Sequence, residues 1–274
     1  MQEPYLSVII PTLNEEDYLP RLLKDLVSQK ERSFEVIIVD GGSSDKTVKI
    51  ASSFVHKLPL RIQKVSQKNV SFQRNSGARM AKGTYLVFFD ADVQIANSFL
   101  YLLRKAVEKD KPAYVTTYVR ADSVSVNDRV IAMVYNVGAE VSLLIDRPFV
   151  PGFNFTVRKN VFINTNGFRE DIKIGEDYEL ATRLYRQGYR LLILKRPKLI
   201  FSLRRYRAEG SLSVFRKHAL ATLHVFTKGH ITKNLFDYPM GGGWYRTVKT
   251  QGNHRNGFDK AQIYVRKFLK LLVE

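Results

Sequence analysis

The residues with the clearest chemical potential are two carboxylates one residue apart, in Asp90-Ala91-Asp92. Two carboxylates that close need a counter-charge, because like charges at short range cannot both stay ionised cheaply. A divalent cation held partly by a substrate diphosphate would supply it. A solvated Asp-x-Asp turn would need no ligand at all. Acids also stand at two other element ends, Asp40 after Val39 and Glu176-Asp177 after Gly175. The latter pair has an ordinary explanation too, since first-turn acids favour any helix dipole.

Short apolar runs must position these acids. Tyr85 to Phe89 is aromatic and β-branched, follows Gly83, and is expected to be a buried strand that stops at the Asp pair. Leu6 to Ile10 and Phe34 to Asp40 are two more strands, and Leu60 to Lys64 is a weaker one. Between them, Leu19, Leu22, Leu23 and Leu26 have helical spacing, with Thr12 or Asn14 available as a cap. A second helix follows the Gly41-Gly42-Ser43-Ser44-Asp45 turn, and a third opens at Ser71. The alternation argues for a mainly parallel α/β sheet with right-handed crossovers. Ligands in such sheets sit beyond the carboxyl ends of the strands, where Asp90 and Asp92 would lie.

Further along, Phe99, Leu102, Leu103, Ala106 and Val107 predict a helix, and Tyr114 to Arg120 a strand. A long helix is expected over 122–145, with Val130, Met133, Val134, Val137, Val141 and Leu144 on one face. Pro148 to Phe155 is expected to be a loop, 176–187 a helix closed by Gly188, and Leu191 to Leu194 a strand.

The 274 residues are 45% hydrophobic, enough for one large domain with an appendage. No apolar run reaches the length of a bilayer span; the nearest, Val130 to Ile145, is interrupted by Asn136 and Glu140. The absence of a basic leader favours the cytoplasm, and the absence of cysteine excludes disulfides and thiolate metal sites. The net charge of +18 is uneven: residues 204–274 hold 14 Lys/Arg against 4 Asp/Glu. An anionic partner such as a lipid headgroup, nucleic acid or phosphorylated substrate is one reading, and a solubilising surface the other. No G-x-G-x-x-G or Walker A loop follows the first strand, which disfavours dehydrogenases and P-loop enzymes.

Five blocks in order resemble the family 2 glycosyltransferases of GT-A fold. They are Val8-Ile9-Ile10-Pro11-Thr12-Leu13-Asn14-Glu15, Val39-Asp40-Gly41-Gly42-Ser43-Ser44-Asp45, Arg74-Asn75-Ser76-Gly77, Asp90-Ala91-Asp92 and Gly175-Glu176-Asp177-Tyr178-Glu179-Leu180. The resemblance covers roughly residues 6–205, so 1–205 is read as a GT-A catalytic domain and 206–274 as a basic, partly helical extension. It implies an inverting hexosyltransferase-type enzyme that uses a nucleoside-diphosphate sugar, UDP-linked by default with GDP as the alternative. Pro11, Thr12, Glu15, Asp40, Arg74, Asp90 and Ala91 would then contact the donor. Asp90 and Asp92 would hold Mg2+ or Mn2+, with Gln94 as a further ligand by analogy with polyprenyl-phosphate members. Asp177, beside Glu176, would be the general base that takes the proton of an acceptor hydroxyl.

Phe201-Ser202-Leu203-Arg204-Arg205 resembles an element in which Arg204 or Arg205 clamps the diphosphate. Gly152, Phe153 and Asn154 fall where members of the family place an acceptor-side loop. A phosphate acceptor needs no base, so the Glu-Asp pair favours a hydroxyl acceptor over the polyprenyl phosphate that Gln94 suggests.

In the tail, Leu212, Phe215, Ala219, Leu223 and Phe226 mark one helix face, and Val265, Phe268, Leu269 and Leu272 another. Such basic amphipathic helices lie in anionic membrane interfaces or pack on the catalytic domain. The first alternative implies a lipid-linked acceptor and a peripheral site on the inner membrane face. His218, His224 and His230, six residues apart, are read as surface or packing residues. A sugar-nucleotide nucleotidyltransferase would need a glycine-rich basic loop that Pro11 to Glu16 lacks. Nucleic-acid binding rests on charge alone and is not expected.

Overall fold

The structure is a computed structural model that describes residues 3–245. Seven strands form one sheet in the order β3-β2-β1-β4-β6-β5-β7. The strands are β1 (Leu6–Thr12), β2 (Phe34–Asp40), β3 (Leu60–Lys64), β4 (Tyr85–Phe88), β5 (Tyr114–Ala121), β6 (Phe155–Arg158) and β7 (Leu191–Phe201). Only β6 runs against the rest, pairing antiparallel with both β4 and β5. Helices α1 (Leu19–Val27), α2 (Thr47–Ser52), α3 (Val70–Met80), α4 (Phe99–Asp110), α5 (Val126–Leu144), α6 (Lys159–Asn164), α7 (Glu176–Arg186), α8 (Arg204–Glu209) and α9 (Ser211–Lys228) complete the described chain. This is the mixed α/β, mainly parallel sheet expected from the alternation of elements.

The central strands β1, β2 and β4 are buried along their whole length because helices cover both faces. In α1, Leu19, Leu22, Leu23 and Leu26 are all buried, and proline in its first turn fits the free N–H positions there. By contrast, α3 is buried largely through polar side chains. Gln73 Nε2 donates to the carbonyls of Thr12 (2.9 Å) and Val39 (2.7 Å), tying the ends of β1 and β2 together. Such close packing needs Gly77, where a Cβ would lie 2.5 Å from Ile9 Cγ2.

Three expectations need correction, and one face whose direction the sequence leaves open is settled. Neither Thr12 nor Asn14 caps α1, whose N-cap is Tyr18 without a side-chain bond. Thr12 still belongs to β1, and Asn14 accepts from the Ser44 amide with a left-handed backbone (φ 54°). The strand after Leu191 continues to Phe201 rather than stopping at Leu194, because its charged middle lies on an exposed stretch. The stretch after Pro148 is not simply a loop: a 3-10 turn at Gly152–Asn154 leads into β6, too short and too weakly patterned to be foreseen.

Finally, the apolar stripe of α5 points outward. Its buried residues are Ile131, Ala132, Ala139 and Ser142, while Met133, Val134, Val137, Val141 and Leu144 are exposed. Periodicity reveals a face without saying which way it points. Ile131 and Ala132 join the core, and polar groups complete the attachment: the Asn136 amide pairs with both the N–H and C=O of Val119 (2.8 and 2.9 Å), where the β5–β7 register shifts. The last amphipathic stretch foreseen, Val265 to Leu272, lies outside the described residues.

At the opposite edge from the site, Ser7 Oγ accepts from Gly83 N (2.8 Å) and donates to Glu35 (2.7 Å). A Cβ on Gly83 would lie 2.7 Å from Ser7 N. Gly83→Ala is therefore expected to cost about 2 kcal/mol by overpacking. Thermal unfolding would show a fall in Tm of about 4–8 °C.

Candidate active site

The carboxyl ends of β1, β2 and β4 lie side by side, since Thr12 pairs with Asp40 and Ile9 with Phe88. Beyond them opens a cleft of about 400 Å³. Its lining includes Pro11, Thr12, Glu15, Arg74, Asp90, Ala91, Asp92, Gly152, Phe153, Glu176, Asp177, Arg204 and Arg205. Acids from β4 and from α7 thus meet in one cavity across more than eighty residues of sequence.

Arg74 joins them. Its Nη2 lies 2.9 Å from Asp90 Oδ1 and its Nη1 2.7 Å from Glu176 Oε1, with the guanidinium almost wholly buried. Foreseen as a donor contact, this arginine is occupied by acids of the site. Gly152 fits tightly against it, because a Cβ there would lie 2.8 Å from both terminal nitrogens.

The same Gly152 donates its N–H to Asp177 Oδ2 (2.7 Å), and Tyr178 N–H donates to Oδ1 (2.8 Å). Both oxygens of Asp177 are therefore oriented by backbone. Burial pushes the Asp177 carboxyl above the usual range, against the pull of Arg74 and these amides. Glu176 is raised as well, by burial and then by Asp177, with Arg74 opposing.

A second guanidinium serves the other acids. Arg204 is bidentate to Glu15 (2.7 and 2.8 Å). Its Nε stands 2.8 Å from Asp92 Oδ2 without the alignment of a hydrogen bond. Tyr18 and Tyr245 flank the guanidinium at 4.4 and 4.5 Å from their ring centres. Burial pushes Glu15 up to about 7 even against Arg204. Asp92 is raised too, by burial and then by Asp90, with Arg204 opposing. Arg205 pairs with Glu209 (3.0 Å) and lies over Tyr238 at 3.8 Å.

Asp40, Asn154 and Gln94 stand outside the cleft lining, whereas Phe153 belongs to it. Asp40 is buried and accepts from Thr12 Oγ1, Ser43 Oγ and the amides of Gly42 and Ser43, so it builds the β2 turn. Asn154 is buried against Thr116 and Thr117 of β5. Phe153 stacks on Phe201 at 5.4 Å with parallel rings. Gln94 is not among the residues lining the cleft, and its backbone pairs with Ile200.

A divalent cation fits this donor set in one form only. Among the described residues no group of three His, Cys, Asp or Glu is arranged to hold a metal. Asp90 and Asp92 supply two hard carboxylates, so a bound diphosphate must provide further oxygens.

Several cleft residues are not among the expected site residues: the sequence marks His218 as a surface or packing residue and Phe226 as part of a helix face, and both line the cleft. Tyr135, Phe149, His218, Val225 and Phe226 form a second, more apolar wall. Burial and then Arg205 hold the His218 imidazole below its ordinary value. The segment after α9 also returns to the cleft: Gly242 N–H donates to Leu13 C=O (3.0 Å). Gly241 and Gly242 approach Leu13 and Asn14 so closely that a Cβ would meet their carbonyls at 2.5 and 2.3 Å.

Comparison with known proteins bears on this arrangement. The chain matches the family described as Glycosyl transferase family 2 over residues 7–165. It is 40% identical over 94 residues to a PGL/p-HBAD biosynthesis glycosyltransferase of Mycobacterium bovis, covering 34% of this chain and 37% of the relative. It is 26% identical over 211 residues to the poly(ribitol-phosphate) β-N-acetylglucosaminyltransferase TarS of Staphylococcus aureus, covering 73% of this chain and 35% of that one. The chain thus spans little more than a third of these relatives' length. Among solved structures, the mannosyltransferase PcManGT of Pyrobaculum calidifontis, in complex with GDP-Man and Mn2+, superposes with a TM-score of 0.62 at 17% identity. That match covers 100% of this chain and 82% of the other. TarS 1–349 in complex with UDP-GlcNAc gives 0.60 at 21%, covering 72% and 58%. Both share the fold.

Breaking the Arg74 bridge would leave Asp90 and Glu176 unpaired. Arg74→Met is expected to cost about 3 kcal/mol, and adding Glu176→Gln to restore part of it by removing the stranded charge. Urea unfolding of the single and double variants measures both effects.

Proposed function

Since the chain belongs to glycosyl transferase family 2, we propose that it moves a sugar from a nucleoside-diphosphate sugar to a hydroxyl acceptor with inversion at the anomeric carbon. One observation carries this reading: Asp177 shares a cleft with Asp90 and Asp92, and Arg74 links the two groups. Family 2 neighbours in this fold have been solved with UDP-GlcNAc and with GDP-Man. We take a UDP-sugar as the donor, with a GDP-sugar as the alternative.

Asp177 acts as the general base. Its oxygens are held by the amides of Gly152 and Tyr178, so the lone pairs have a fixed direction. Its raised pKa makes it a better proton acceptor than an exposed aspartate, provided the pH keeps it ionised. It takes the proton of the acceptor hydroxyl as that oxygen attacks opposite the departing diphosphate. Glu176 keeps Arg74 in place and thereby orients Asp90.

Asp90 and Asp92 would hold Mg2+ or Mn2+, whose charge offsets the negative charge developing on the leaving nucleoside diphosphate. Arg204 is the protein's own cation beside that position. A proton on Glu15, whose pKa is about 7, frees the Arg204 guanidinium for phosphate oxygens. The wall of Tyr135, Phe149, Phe153, Val225 and Phe226 supports an acceptor with an apolar, lipid-like portion. No helix among the described residues is long and apolar enough to cross a membrane, so membrane contact through them would be peripheral.

The test is incubation with UDP- and GDP-sugars plus Mn2+, with release of nucleoside diphosphate as the readout. EDTA and Asp92→Ala are expected to abolish release. Asp177→Asn should lower transfer about 10²–10⁴-fold while nucleotide still binds by calorimetry. Transfer that survives Asp177→Asn would remove the base assignment.

The pH profile offers an independent check. The base form appears only as pH rises through the raised pKa of Asp177. The acid limb of kcat/KM should therefore lie above the ordinary aspartate value of about 4. A limb at or below that value would contradict a buried base.

A further inference from the structure

Helices α5 and α9 carry most of the exposed apolar surface of the described chain. Nineteen large apolar side chains are exposed among the described residues; eight lie between 124 and 145 and five between 212 and 226. On α5 the stripe Met133, Val137, Val141 and Leu144 has helical spacing and runs roughly 16 Å. Leu144 is 83% exposed. On α9, Leu212, Leu220 and Leu223 face outward, while His218, Ala221, Thr222 and Val225 line the cleft.

The C-terminal ends of the two helices approach one another beside the cleft. The Arg147 guanidinium, just past α5, lies 5.4 Å from the ring centre of Phe226 near the end of α9. Phe226 is exposed and also lines the cleft, so apolar surface runs from outside into the acceptor wall. Patches of this extent on a soluble chain mark an interaction site.

Charge selects the occupant. Helix α9 contains Arg216 and Lys228, with Lys217 paired to Glu209 (2.7 Å), and no acid. The two acids of α5 are both engaged, Asp128 by Ser123 and Arg207 and Glu140 by the Tyr118 hydroxyl. Residues 246–274 carry seven Lys/Arg and two Asp/Glu, which adds to the positive charge that favours an anionic partner. A second copy would present the same cationic helix. A protein seated over Phe226 would also block the cleft, whereas a lipid surface could deliver substrate there.

We propose that α5 and α9 together form a docking face for the interface of an anionic bilayer. The face lays the apolar stripes among the headgroups and turns the Phe226 side of the cleft toward the lipid. This identifies the partner of the proposed site, and it rests on the reading of a lipid-linked acceptor. Apolar burial and attraction of Arg and Lys to anionic lipid supply the binding together.

The test is co-flotation of the full chain with vesicles of phosphatidylcholine, alone or mixed with phosphatidylglycerol, at low salt. Wild type is expected on the mixed vesicles and not on phosphatidylcholine alone. The double variant Leu144→Glu/Leu223→Glu, changed at exposed positions outside the cleft, should bind at least about tenfold more weakly. Its calorimetric affinity for UDP or GDP should equal that of wild type, which separates failure of the docking face from failure of the donor site. The proposal is overturned if wild type ignores mixed vesicles, or if the double variant binds them as well as wild type. A dimer in sedimentation equilibrium that the double variant dissolves would assign the face to a second copy instead.

Discussion

Everything in the cleft depends on keeping carboxylates together that repel one another. Asp90 and Asp92 come from the end of β4, Glu176 and Asp177 from the start of α7, and Glu15 from the loop after β1. The Arg74 guanidinium is shared between Asp90 and Glu176, and that of Arg204 is bidentate to Glu15 with Asp92 alongside. An arginine suits this work because its planar fork meets two carboxylates at once and stays charged when buried. Such pairs are weak evidence for stability, since desolvation offsets much of their attraction. Their value lies in geometry: they set the distance between the Asp90 and Asp92 side of the cleft and the Glu176–Asp177 pair.

The sheet makes that geometry possible. Parallel pairing of β1 with β2 and β4 aligns three carboxyl ends on one edge. Polar anchors then tie neighbouring pieces to that edge. Gln73 binds the ends of β1 and β2, and Asn75 binds the loop at Phe168 that leads toward α7. Glycine supplies the remaining closeness, most clearly at Gly152, whose missing side chain lets Arg74 approach while its N–H holds Asp177.

Much of this was legible in the sequence, for reasons that differ by element. Strand β2 and the buried face of α1 followed from period and composition, because Phe34, Val36 to Val39 and the four leucines of α1 carry most of their burial. The outward face of α5 did not. Its attachment combines Ile131 and Ala132 with Asn136 and Glu140, two polar residues that appear in sequence only as interruptions of an apolar run. The acids that line the cleft were visible as element ends, but their partners were not. Ion pairs such as Arg74–Glu176 and Arg204–Glu15 join residues more than a hundred positions apart, which no local pattern encodes. Asp40 illustrates the reverse case: a motif acid whose hydrogen-bonding capacity is spent on its own turn.

The arginines that neutralise the acids are also the groups a diphosphate would seek. Arg204 is bidentate to Glu15 and enclosed by Tyr18 and Tyr245, while Gly241 and Gly242 rest on Leu13 and Asn14. A diphosphate entering there competes with Glu15 for the guanidinium. The cost of that exchange is moderated by the elevated pKa of Glu15, which takes up a proton more readily than an exposed glutamate. The same logic explains why so basic a protein keeps an acid-rich cleft: the acids hold the arginines in register until an anion of higher charge replaces them.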